Sequence, residues 1–454
     1  MINLVYSLKA DNPKIDPSKT AIFGAGLSGL TLGYLLNQKG LNFEVLEKEA
    51  VSGGLMRTLL ECGFSFDYGG SHIIFSKNKK ALNFMLKLLK DNKVRNRRNT
   101  KILYRDVLVK YPFENGLADL PKEENFECLF SFINNLLSKE KCRVKKPLNL
   151  KEWFYGAFGK GIAEKYLIPY NEKIWKFPVE KMGLDWVERI PDPPVEDIIK
   201  SSLGIETEGY THQLYFYYPK TGGIQAIIKS LETEIGQNIT LNYNIKKIKY
   251  EDNQWFVSDG KVEKSFDKII STIPIQRLVE AVNAPKEVKT AANELKYNSL
   301  ITVMLGINKN KLNSISWLYI PDKSVLTHRV SFPSNYSPCV TPSGKSSVLA
   351  EISCTLEDSI WKMKDEQLIE RTVNDLSQLR IIKKQDVCLA RVHRTEYGYV
   401  VNDLNYNNNL TIVKDYFNEK GIGLVGRFAE FKYLNMDACI QSAINYVKNC
   451  FNSS

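Results

Sequence analysis

The chain has 454 residues, 43% of them hydrophobic and 25% charged. That length is more than one hydrophobic core usually serves, so two or three domains are expected, and the composition excludes disordered, collagen-like and coiled-coil classes. Lysine and arginine number 62 against 51 acidic residues, but the basic runs Lys77–Lys80, Arg95–Arg98 and Arg143–Lys146 are short and separated, which points to solvated faces and away from a nucleic-acid binder.

In chain order, residues 1–78 contain AIFGAGLSGLTLGYLLNQKGLNFEVLEKEAVSGG, in which an apolar strand turns through glycines into a helix and a second strand follows, a β-α-β unit. Residues 79–186 carry helical apolar spacing in ALNFMLKLLK, NFECLFSFINNLL and LKEWFYGAFGKGIAEKYL, broken by YPFENG and KKPLNL, which predicts an inserted helical domain. Within 220–290, successive strands with turns at Glu251–Gln254 and Ser258–Lys261 end in IISTIP, where the dinucleotide fold resumes. Residues 291–395 alternate in LITVMLGIN, ISWLYIP and SSVLAEIS and predict an antiparallel sheet. Residues 396–454 close with GIGLVGRFAEFKYLNMDACIQSAINYVKN, read as strand, glycine turn and helix. The fold class expected is α/β in a multidomain, α+β sense, with a discontinuous Rossmann-like domain, a helical insertion and an antiparallel sheet domain. Apolar stretches stop well short of 18 residues, so neither a membrane span nor export is expected and the location is read as cytoplasmic. Eight cysteines without CxxC spacing and four histidines (His72, His212, His328, His393) predict no metal site and no disulfide framework.

Gly24, Gly26 and Gly29 form GxGxxG, permitting a tight turn, close approach of backbone amides to a pyrophosphate, and close helix–strand packing. Glu47 ends the next strand and is placed to accept from a ribose hydroxyl. Gly53 and Gly54 add a second turn whose amides suit phosphate, a pair frequent in FAD enzymes, so FAD is the expected cofactor.

Eight further stretches occur in one order: FDYGGSHIIFS, VKYPFENGLADLPKEE, IAEKYLIPYNEKIWKFPVEKM, YPKTGGI, IISTIP, SWLYIPDKSVLTHRVSFPSNYSP, HRTEYGYV and GRFAEFKYLNMD. Together they resemble UDP-galactopyranose mutases, in particular the eukaryotic-type branch. The resemblance implies interconversion of UDP-galactopyranose and UDP-galactofuranose without net redox change, the reduced FAD serving as nucleophile on the anomeric carbon. It implies that 79–186 contacts the nucleotide, and that 187–219 begins the substrate sheet domain with a mobile loop carrying Arg189. His72, Arg329 and Arg427 take catalytic roles by this resemblance. Tyr111, Phe113, Glu114, Asn171, Trp175, Arg189, Trp317, Tyr319, Tyr399 and Tyr433 are implied to contact substrate, with Tyr111 and Phe113 clamping uracil and the arginines and tyrosines holding the diphosphate. The cofactor contacts so implied add Leu27, Ser28, Lys48, Leu55, Met56, Ile245, Gly426, Arg427, Asn435 and Met436 to the glycines and Glu47. Arg98 and Thr100 match positions used for NADPH, a possible reductant. Two departures stand out: GGSH carries one residue more than the family's usual GGH before His72, and Glu114 replaces a glutamine. An ionised glutamate only accepts, from uracil's ring N–H or from an exocyclic amine. The other readings are the same ring contraction on another nucleotide sugar, or an FAD-dependent oxidoreductase of the amine-oxidase type. The oligomeric state is left open by the sequence.

Overall fold

The computed structural model describes residues 18–141, 146–185, 187, 194–207 and 214–451. The first unit runs β1 (Thr20–Phe23), α1 (Leu27–Gln38) and β2 (Phe43–Leu46). Every residue of β1 is buried, as a parallel strand covered on both faces requires. A hairpin follows, β3 (Thr58–Glu61) and β4 (Phe64–Asp67), then α2 (Lys79–Leu89), opened by Asn78, whose side chain accepts from the Lys80 and Ala81 amides.

Here the chain departs from the helical reading of 79–186, because residues 94–110 form three strands, β5 (Val94–Arg97), β6 (Thr100–Tyr104) and β7 (Val107–Lys110). The turn between β6 and β7 is tight, with Arg105 at φ 52°, and its flanks are short continuous apolar runs, Ile102–Tyr104 and Val107–Val109, which periodicity alone does not separate from helix. The helical layer proper is α3 (Lys122–Lys141), α4 (Leu150–Ile162) and α5 (Ile168–Trp175). A second departure follows. Among the described residues of 187–219 lie α6 (Val195–Ser202), packed on the helical layer, and β8 (Tyr215–Tyr218), which forms a ladder with β5 and a single bridge from Tyr217 to Ile74. The expected start of the substrate sheet is thus a helix and a separate two-stranded ribbon, since β8 finds its hydrogen bonds along β5.

The remaining elements are α7 (Gln225–Ile235), β9 (Ile239–Thr240), β10 (Lys247–Glu251), β11 (Gln254–Ser258), β12 (Glu263–Phe266), β13 (Lys268–Ser271), α8 (Ile275–Ala281) and α9 (Lys286–Glu294). They continue with β14 (Tyr297–Ile307), β15 (Trp317–Tyr319), β16 (Arg329–Ser331), β17 (Ser346–Cys354), α10 (Ser359–Lys362), α11 (Asp365–Gln378) and β18 (Val387–Val400). The chain ends in α12 (Tyr406–Glu419), β19 (Ile422–Leu424) and α13 (Met436–Phe451).

Two large sheets organise these parts. One is wholly parallel, in the order β19-β13-β1-β2-β9. Leu30, Leu36, Ile227, Leu231, Ile440 and Val447 from α1, α7 and α13 cover one face, and the other is covered from β10–β12, α8, α9 and α12. The second sheet has the order β18-β14-β17-β16-β15-β6-β7, antiparallel except where β15 meets β6. Its register sets Ile102, Tyr319, Arg329, Glu351, Thr302 and His393 side by side in one row. α11 packs on the opposite face with Leu368 and Leu376 in the core. The architecture is the expected α/β fold with an antiparallel sheet beside a Rossmann-like one. No helix among the described residues is long and apolar enough to cross a membrane.

Candidate active site

The glycine turn after β1 is a packed object. Gly24 sits at φ +91°, and a Cβ on Gly29 would lie 1.9 Å from the Gly24 carbonyl oxygen, so both positions exclude side chains for steric reasons. A Cβ on Gly26 would meet nothing within 4 Å, so the turn is open where a ligand would approach. α1 begins there with no side-chain cap and no acidic residue in its first turn, which leaves its N-terminal amides for an anion. The second turn docks on the first: Gly53 N–H donates to the Ala25 carbonyl at 2.8 Å. Gly426 closes against the side chain of Ser28. Glu47, almost fully buried, accepts from the Ala25 amide at 2.7 Å and the Glu49 amide at 3.0 Å, which braces its carboxylate at the end of β2. The Ser52 hydroxyl beside Gly53 is buried and has no partner among the described residues. These features fit a dinucleotide cofactor such as FAD.

Leu27 and Met56 are buried and Leu55 is partly covered, its carbonyl against Gly69, while Ile245 packs on the core beside the end of β2. Lys48 points to solvent and pairs with Glu49 at 3.6 Å.

A cavity of about 390 Å³ opens between the cradle, the helical layer and the antiparallel sheet. The structure places His72, Arg98, Tyr111, Glu114, Asn171, Trp175, Trp317, Tyr319, Arg329, Tyr399, Arg427, Tyr433, Asn435 and Met436 around it. Phe113 is the exception. Its ring is wholly buried, stacked on Tyr166 at 5.1 Å and edge-on to Tyr104 at 5.8 Å, so it serves the helical core instead of clamping a base. Burial of so large a ring outweighs any role at the cavity surface. Arg189 lies outside the described residues. A separate open groove of about 530 Å³ along α13 is walled by Asn78, Gln441 and Asn445, whose amides bond to one another, and holds none of these aromatic or arginine side chains.

Arg329 is held from behind. Its Nε and Nη2 donate to the two oxygens of Glu351 at 2.7 and 2.6 Å, and Glu351 is completely buried. Burial disfavours the charge of Arg329, but the Glu351 carboxylate more than restores it and holds the guanidinium pKa well above the ordinary value. The same carboxylate accepts from the Ser71 amide at 3.1 Å, so the residue extra in GGSH ties the histidine loop to the arginine. The Ser71 hydroxyl pairs with the Tyr336 hydroxyl at 3.0 Å.

The imidazole of His72 is 2.7 Å from the Gly70 carbonyl through Nδ1. A carbonyl can only accept, so Nδ1 carries the proton and Nε2 offers a lone pair. Burial, then Arg427 and Arg329, lowers its pKa to about 4 against the pull of that carbonyl, so the ring is neutral at pH 7. Burial likewise raises Tyr111, Tyr170, Tyr319 and Tyr399, which stay phenols and present O–H donors. Trp175 donates to Asn171 Oδ1 at 2.9 Å while Asn171 donates to the Leu167 carbonyl at 2.7 Å, fixing both side chains one helical turn apart. Arg427 donates through Nε to the Leu434 carbonyl at 2.7 Å and lies over the Tyr433 ring.

Sequence reasoning missed Tyr170, Ser71 and Glu351. Tyr170 precedes Asn171 within IPYNEKIW and its ring packs on Tyr319 at 5.1 Å. Glu351 was visible as a lone carboxylate in the apolar run VLAEIS, a position that demands a buried partner.

Residues 197–443 match the family of flavin containing amine oxidoreductases, and residues 22–88 match the NAD(P)-binding Rossmann-like domain. The UDP-galactopyranose mutase of Mycoplasma pneumoniae is 24% identical over 247 residues, covering 54% of this chain and 59% of that protein. The chain therefore spans a little over half the length of that curated relative. An inactive all-trans-retinol 13,14-reductase of Danio rerio is 33% identical over 85 residues, 19% of this chain and 14% of that one. Among solved structures, a reduced UDP-galactopyranose mutase superposes with a TM-score of 0.88 at 25% identity, over 96% of this chain and 94% of that one. A cofactor-redesigned putrescine oxidase shares the fold, with a TM-score of 0.66 at 15% identity over 96% and 99% of the two chains.

Proposed function

We propose that this chain, which belongs to the family of flavin-containing amine oxidoreductases, is a mutase of the eukaryotic-type branch that interconverts UDP-galactopyranose and UDP-galactofuranose on reduced FAD. The observation that carries the reading is Arg329, whose charge is secured by Glu351 and which lines one cavity with the phenols of Tyr111, Tyr170, Tyr319 and Tyr399 and with His72. A redox enzyme for amines has no need of such a set, whereas a diphosphate leaving group does, because charge develops on its oxygen as the glycosidic bond breaks.

Reduced FAD, when bound, supplies a nucleophile toward the anomeric carbon. Arg329 receives the diphosphate with the O–H groups of Tyr319, Tyr399 and Tyr433, and Arg427 adds charge on the cofactor side. The arginine fork suits phosphate oxygens geometrically. Asn171 and Trp175 give the sugar a polar contact and an apolar plate. His72 Nε2 accepts a hydrogen bond from a ligand N–H or O–H. Tyr111 packs on the base and Glu114 accepts from it.

Incubating dithionite-reduced protein with UDP-galactofuranose should yield the pyranose, whereas oxidised protein should not. NADPH in place of dithionite tests whether Arg98 and Thr100 serve that coenzyme. No turnover by the reduced form would reject the mutase reading. A second reading, the same contraction on another nucleotide sugar, is favoured by the buried carboxylate of Glu114 in the cavity wall. Competition among UDP, CDP, GDP and dTDP for the cavity decides between them. Net oxidation of a substrate with bleaching of the flavin would replace both by an oxidase.

A further inference from the structure

Lys173 lies on α5 between Asn171 and Trp175, yet its side chain leaves the cavity and crosses to the sheet. Its Nζ donates to the Ile320 carbonyl at 2.8 Å, the Asp322 carbonyl at 2.6 Å and the Thr327 carbonyl at 2.7 Å. These carbonyls flank the connection from β15 to β16, the strands that carry Trp317, Tyr319 and Arg329. Ile320 and Thr327 are buried, so water does not readily replace the lysine. An ammonium has three N–H bonds, and each ends on one carbonyl. The nearby Glu172–Lys323 pair joins the same two elements at the surface, where such pairs contribute little. Lys173 is thus a partly buried tie between two facing walls of the cavity, anchored on two buried carbonyls and one at the surface.

We propose that Lys173 is a positioning residue: as an ammonium it fixes the distance between the α5 wall, with Asn171 and Trp175, and the β15–β16 wall, with Tyr319 and Arg329, and so sets affinity for the diphosphate. The inference rests on the nucleoside-diphosphate reading of the cavity. Loss of one proton leaves two N–H bonds for three carbonyls and loosens the turn. Burial draws the pKa of Lys173 down to about 7, opposed by Asp322 on the turn and Asp375 on α11. His328, also facing it, is kept neutral by burial, then by Arg329 and Lys173 itself. The charged form, and the tie, is therefore complete below neutrality and lost as pH rises.

The test uses full-length, FAD-loaded protein and UDP, with binding followed by flavin fluorescence. Lys173→Met should weaken UDP about 30-fold at pH 6.5, the effect of losing about 2 kcal/mol of charged hydrogen bonding, and in turnover raise KM more than it lowers kcat. Lys173→Arg should stay within about threefold and hold its affinity to pH 9, where the unmodified protein weakens, because guanidinium does not deprotonate there. The titration of UDP itself is common to both proteins. Equal UDP affinity for Lys173→Met and the unmodified chain, or one pH profile shared by Lys173→Arg and the unmodified chain, would overturn the proposal. Should Lys173→Met not fold, the arginine comparison decides alone. Should the unmodified chain bind no nucleoside diphosphate, the substrate reading fails on its own, and hydrogen exchange in residues 317–331 then judges Lys173. Exchange that speeds up with pH in the unmodified chain beyond the intrinsic rate, but not in Lys173→Arg, supports the tie, and identical pH dependence rejects it.

Discussion

The cofactor cradle and the ligand cavity use the chain in opposite ways. Most of the cradle is one stretch from Thr20 to Gly54, in which Gly29 meets Gly24 and both Glu47 and Gly53 meet Ala25, while Gly426 is brought in against Ser28 from the far end of the chain. The cavity takes Tyr111, Tyr170, Tyr319, Arg329, Tyr399 and Tyr433 from six different elements or loops and makes them neighbours only through sheet register and helix packing. A local motif tolerates no change in backbone shape. A dispersed site depends instead on the buried groups that hold its parts at fixed distances.

The sharpest way to break this contrast is Gly29→Val. A Cβ would collide with backbone that cannot move aside, so purified protein should lose nearly all bound flavin, read as absorbance near 450 nm. Next come two buried residues on the cavity side. Glu351→Ala strands the Arg329 charge and should lower unfolding free energy in urea by about 3–5 kcal/mol, while protein that remains folded keeps its flavin. Phe113→Ala should cost about 3–5 kcal/mol as well, yet leave UDP affinity per folded molecule within twofold, since the ring does not reach the cavity. Equal loss of base recognition and stability would restore it as a clamp.

Acid gives a smaller effect. His72 has a folded pKa of about 4 against an ordinary value of 6.5, so the unfolded chain takes up the proton first as pH falls. Its contribution is constant above pH 6.5 and stability is lost from there toward pH 4, about 1.5 kcal/mol by pH 5. His72→Gln should flatten that part of the stability profile, and an unchanged slope would show the imidazole to be charged when folded. Smallest is Trp175→Phe, which removes the bond to Asn171 and should weaken UDP about fivefold, or about 1 kcal/mol.

Legibility follows the same division. The glycine turn and Glu47 could be read locally because their signals lie within one β-α-β unit, even though β1 completes its ladder with β13 far along the chain. The strands at 94–110 are harder, since β5 pairs with β8 and β6 finds its second neighbour in β15, both far along the chain, although β6 and β7 form a local hairpin. Phe113 misled for a related reason: motif position names a residue's neighbours along the chain, whereas Tyr166 covers its ring from another helix. Glu351 left a signal, a carboxylate in an apolar strand, but its partners Arg329 and Ser71 come from other parts of the fold.

The chain enters the parallel sheet with β1 and β2, leaves for β6 and β7, returns for β9 and β13, departs again through β14 to β18 and comes back with β19. No single cut in the polypeptide can separate the two layers into self-sufficient fragments. Limited proteolysis should therefore give nicked but associated pieces, and heat should melt both layers in one transition. Recombining halves from related enzymes would exchange parts of both sites at once, so new ligand preferences in this architecture are reached by side-chain replacement within an intact chain.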